Sequence, residues 1–125
     1  MTSLLKFNIA VRGTDAHSGL TAVFDAAYAN LERLPRLFIE PDGSFVWRGT
    51  SDDGLEWQVD GNLIDRGVVL DYVELKGNCP AERFDDLLRA LGWPASPVRV
   101  QLPRRGVFLT EEEFRRQAAR PEGAG

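Results

Sequence analysis

A chain of 125 residues, 43% hydrophobic and 27% charged, has the length of one domain and can bury a core without disulfide or metal. A formal charge of −4 with one Cys and one His excludes an internal disulfide and a Cys/His zinc site, and argues against binding to a phosphate backbone. No apolar run of about 18 residues occurs and MTSLLKFNIAVRG lacks the layout of a cleavable signal, so a cytoplasmic protein without a membrane span is expected.

In chain order, residues 4–11 alternate, with Leu5, Phe7, Ile9 and Val11 on one face, and read as a strand. A helix is expected from Ser18 to Leu34, with Leu20, Val23, Phe24, Ala27, Leu31 and Leu34 as its apolar stripe and Pro35 as its stop. Two hairpins follow. Glu40-Pro41-Asp42-Gly43 is a three-residue loop with a bulge at Gly43, which sets Ile39 opposite Phe45 and Leu37 opposite Trp47. Ile64-Asp65-Arg66-Gly67 repeats the scheme. It sets Leu63 opposite Val69, Gly61 opposite Asp71, Val59 opposite Val73, Trp57 opposite Leu75, and Glu56 opposite Lys76.

Residues 49–54 are a polar connector between the hairpins. Gly77-Asn78-Cys79-Pro80 is expected to open a second helix with Pro80 at its first position, Phe84, Leu87, Leu88 and Leu91 as its stripe, and Gly92 as its cap. A strand at 98–102 comes next, continued after Pro103 by residues 107–109. Thr110-Glu111-Glu112-Glu113 has the pattern of a capping box and opens a short third helix to about Ala119. The resulting order is β-α-β-β-β-β-α-β with a C-terminal helix. It predicts an α+β fold: an antiparallel sheet of about five to six strands with two helices packed on one face. Residues 1–119 form the expected domain and 120–125 a disordered tail.

The chemistry-bearing residues are few. Cys79, at a helix N-cap, would have its thiol pKa lowered by the helix dipole, with His17 as the one available imidazole partner, but no cysteine-enzyme signature surrounds it. Asp52, Asp53, Glu56, Asp60 and Asp65 lack the spacing of a calcium loop, and the chain has no phosphate loop, dinucleotide fingerprint or nucleophile elbow. No cofactor and no catalytic residues are assigned. The 13 Arg against 2 Lys match the codon bias of a GC-rich, bacterial genome; the scattered spacing gives little sign of anion recognition, and Arg99, Arg104 and Arg105 form the nearest thing to a basic patch.

Two places could hold a function. The second sheet face carries large apolar residues among polar ones, namely Phe38, Val46, Arg48, Gln58, Leu70, Tyr72 and Glu74 with Asp60 and Asn62, which is the character of a partner-binding patch. The expected activity is therefore that of a small binding or accessory module that contacts a protein partner or a second copy of itself through that face. The alternative is a small-molecule-binding protein or small enzyme with a pocket around Asp71, between sheet and helices, in the space that Gly61 leaves open.

Overall fold

Strict alternation over Leu5, Phe7, Ile9 and Val11 makes β1 (Leu4–Gly13) a strand that buries one face and exposes Lys6 and Asn8 on the other. The computed structural model describes residues 4–13, 23–102 and 106–118. After β1 come α1 (Phe24–Glu32), β2 (Leu37–Ile39), β3 (Ser44–Thr50), β4 (Glu56–Arg66), β5 (Val69–Pro80), α2 (Ala81–Ala90), β6 (Val98–Leu102), β7 (Val107–Thr110) and α3 (Glu111–Ala118). The fold is α+β. Its sheet has seven strands, in the order β2-β3-β4-β5-β1-β6-β7, with every neighbouring pair antiparallel.

The count exceeds the expected five to six because residues 107–110 turn back instead of extending β6. Val107 pairs with Leu102 and Thr110 with Arg99, so β6 and β7 form a hairpin. The three described helices all pack on one face. Phe84 of α2 stacks against Phe7 of β1 and Phe114 of α3 at centroid distances of 5.4 and 5.3 Å, and Ala27 and Leu31 of α1 join the same core. Arg115 of α3 further ties the layer together through an ion pair to Asp85 of α2 at 2.6 Å. The third helix therefore docks on the core and leaves the opposite sheet face uncovered by any described element.

Local sequence chemistry explains most boundaries. At the first hairpin Gly43 has φ +96, which a residue without Cβ adopts at little cost, and the pairs Ile39–Phe45 and Leu37–Trp47 stand as predicted. Thr110 and Glu113 form the reciprocal capping box: the Thr110 N–H donates to Glu113 Oε1 at 3.0 Å and the Glu113 N–H to Thr110 Oγ1 at 3.1 Å. The same bond from the Thr110 N–H holds the Glu113 carboxyl below its ordinary range.

Three expectations need correction. The first helix starts at Phe24, because Val23 is extended and bridges to Val69; Val23 is 40% exposed and is no part of the stripe. Ser18, Leu20 and His17 lie outside the described residues, as do Pro103, Arg104, Arg105 and the tail at 120–125.

The second hairpin turns on Gly67-Val68 between the paired Arg66 and Val69, one residue fewer than the three-residue loop expected. Its register shifts between Ile64 and Asp65, where Asp71 is the extra residue of a β-bulge. Leu63 thus faces Val73, Gly61 faces Leu75 and Val59 faces Gly77, and the residue opposite Lys76 is Asp60 and not Glu56.

Third, Gly77 to Pro80 is strand. Cys79 pairs with Leu5, and α2 begins only at Ala81.

Candidate functional site

The uncovered face is built from the residues that alternate away from the core. Across its width the ladder aligns Phe38 with Val46, Val46 with Asp60, Asp60 with Lys76, and Lys76 with Asn8. A second row runs Arg48, Gln58, Asn78, Lys6, and a third Asn62, Glu74, Ala10, Gln101, Phe108. Of the predicted face residues, Phe38, Val46, Arg48, Gln58, Tyr72 and Glu74 fall on this one surface. Phe38 is the most prominent, at 73% exposure.

Leu70 does not belong to it. The bulge at Asp71 adds a residue to β5 and reverses the alternation at its start, so Leu70 is fully buried in the core while Val69 is exposed. Beyond the bulge the parity returns, which is why Tyr72 and Glu74 lie where alternation puts them.

Asp71 is also displaced from its expected setting. It sits beside the hairpin tip, half-buried, with Oδ1 at 3.3 Å from Arg66 Nη2. The space over Gly61 is taken by the Phe45 ring, which a Cβ at Gly61 would overlap. Among the described residues, neither the cleft at the end of β3 nor that beside α3 includes Gly61 or Asp71.

Cys79 is buried at 0% exposure. Burial pushes its thiol up to about 12, more than Arg83 and Arg115 nearby offset. This reverses the lowered pKa expected of an N-cap, because the residue is a strand residue under the helix layer. At pH 8 the thiolate fraction is on the order of one in ten thousand. Native protein should therefore resist a thiol-reactive disulfide reagent over hours and release one equivalent of colour on denaturation. Rapid labelling of the native state would refute this.

What alternation does not reveal is a five-residue arrangement at the corner formed by β5, β1, β6 and β7. Arg12 and Arg99 are direct cross-strand partners. The Arg12 guanidinium lies 4.3 Å from the Tyr72 ring centroid, and its Nε donates to Gln101 Oε1 at 2.7 Å. The Arg99 guanidinium lies 4.4 Å from the Phe108 centroid, and its Nε donates to the Gly13 carbonyl at 2.8 Å.

Stacking and one hydrogen bond orient each fork while its terminal N–H groups take no described partner. No described ion pair includes Arg12 or Arg99. Two like charges directly opposite one another destabilise a ladder unless something offsets them. Lys6, Arg12, Arg48, Lys76 and Arg99 outnumber Glu56, Asp60 and Glu74 on this face, although the chain as a whole is acidic. Compared with family models, curated proteins and solved structures, the chain matches none.

Among the described residues no three His, Cys, Asp or Glu side chains are grouped to hold a metal ion, and no helix is long and apolar enough to cross a membrane.

Proposed function

We propose that this chain is a binding module whose open sheet face docks an acidic segment of a protein partner at the Arg12–Arg99 corner. The observation that carries this reading is the pair of guanidinium groups, each held over an aromatic ring and neither with a carboxylate partner among the described residues. Forks fixed in that way lose little freedom on meeting carboxylates, and bidentate pairs are among the stronger polar contacts. Phe38, Val46 and Tyr72 supply apolar area on the same face, and the basic balance of the face suits an acidic partner. A nucleic-acid platform is the weaker reading, because the rings of Tyr72 and Phe108 that would stack bases each have one face covered by an arginine.

Fluorescence anisotropy with a labelled oligoglutamate peptide at low salt tests the proposal. Binding should weaken at least tenfold in Arg12→Gln/Arg99→Gln, about 1.4 kcal/mol, with the unfolding midpoint as a control for folding. Equal affinity in the double variant would overturn it, as would tighter binding of a single-stranded oligonucleotide than of the peptide. A mass that rises with concentration in light scattering and falls in Tyr72→Asp would replace the acidic segment by a second copy of the chain.

A further inference from the structure

A second pair of arginines faces across the other corner of the sheet, and it borders an open cleft. Arg36 precedes β2 and lies opposite Arg48 of β3, whose N–H donates to the Arg36 carbonyl at 3.5 Å. Both line a cleft of about 600 Å3, together with Thr50, Ser51, Pro80, Arg83 and the largely buried Trp47 and Trp57. That volume is in the range of small-molecule sites. Trp57 lies across Gly49, where a Cβ would overlap the indole, and meets Trp47 edge to face at 5.0 Å.

The charges in the cleft are unevenly satisfied. Arg83 is held by Asp86 at 3.3 Å, and the carboxylates of Asp52 and Glu82 also line the walls. No described ion pair includes Arg36 or Arg48.

Arg36 has φ +66, the sole positive φ among described residues other than glycine. A long side chain in that conformation carries strain, and strain of this kind gathers where a side chain must be aimed. The first turn of α2, entered through Pro80 without a side-chain cap, adds partial positive charge on the same wall.

We infer that the Arg36–Arg48 cleft is a binding site for a small oxyanion carried on an apolar body, with the two guanidinium groups on the anion and the body along the wall to which Trp57 contributes. A phosphomonoester and a carboxylate share this chemistry. The site is separate from the Arg12–Arg99 corner and does not depend on it.

Titration of the full chain with phenyl phosphate, benzoate and phenol, followed by the Trp57 indole N–H cross-peak, tests the inference. Saturable shifts with phenyl phosphate or benzoate at millimolar concentration support it, and the tighter of the two identifies the source of the anion. Phenol should bind at least tenfold more weakly. Arg36→Gly relieves the backbone and should unfold at a midpoint equal to or above that of the parent while losing at least tenfold in affinity. Arg48→Gln should lose a similar factor, and Arg12→Gln/Arg99→Gln should bind as the parent does. Equal binding of phenol, undiminished affinity in both Arg36→Gly and Arg48→Gln, or no shift with either anion would overturn the inference.

Discussion

Replacing Gly77 with Ala is expected to leave little folded protein. Gly77 occupies the middle strand of the sheet, paired with Val59 on one side and Phe7 on the other. Its φ of +135 is one that side chains rarely adopt, and a Cβ there would overlap the Gln58 carbonyl oxygen. That oxygen is backbone in an interior strand, so relief requires two ladders to move. The cost should reach about 4 kcal/mol or more, a large share of the roughly 5–15 kcal/mol by which domains are stable.

Gly67→Ala is the control. It also has positive φ, at +75, but nothing lies within 4 Å of its Cβ position, so it should lose only about 1–2 kcal/mol. Urea unfolding midpoints compare the two, and similar midpoints would refute the account of Gly77.

Phe84→Ala should be nearly as damaging, at about 3–5 kcal/mol. The ring is fully buried and touches Phe7 and Phe114, so its loss opens a cavity between the sheet and two helices. Phe114→Ala removes a ring of equal size from the same cluster, at 3% exposure, but from a short helix at the end of the described chain. Its loss should free α3 locally, giving early protease cleavage near 111–118 while the main unfolding transition is retained. If instead Phe114→Ala abolishes the cooperative transition and Phe84→Ala leaves it intact, this description of the core is wrong.

The fold was legible wherever one residue type had one physical use. Pro41-Asp42-Gly43 admits a single turn geometry, so counting outward from it placed Leu37 and Ile39 correctly against Trp47 and Phe45. Thr110 and Glu113 cap a helix for the same kind of reason. The second hairpin failed because Gly67 serves a two-residue turn as well as a three-residue one, and no local signal marks Asp71 as the bulge. One error offset the other, so the face assignment beyond Asp71 survived a wrong register.

Gly77-Asn78-Cys79-Pro80 was misread because composition marks those residues as loop formers, whereas the pairing with β1 and β4 holds them in a strand. The Arg12–Arg99 pair was invisible for a different reason. Arg12 and Arg99 are far apart in the chain, and their meeting depends on β1 lying beside β6, which no local pattern encodes.

That placement of β1 has a kinetic consequence. β1 is made before the other described strands and has no neighbour among the next several elements; its partners on β5 and β6 lie roughly 60 to 90 residues further along the chain. The hairpins of β2 to β5 can close early, whereas β1 must wait and then enter between β5 and β6, completing two ladders at once. Until it does, the long, apolar inner face of Leu5 to Val11 stays unshielded, the kind of transiently exposed surface that makes a partly folded chain prone to aggregate.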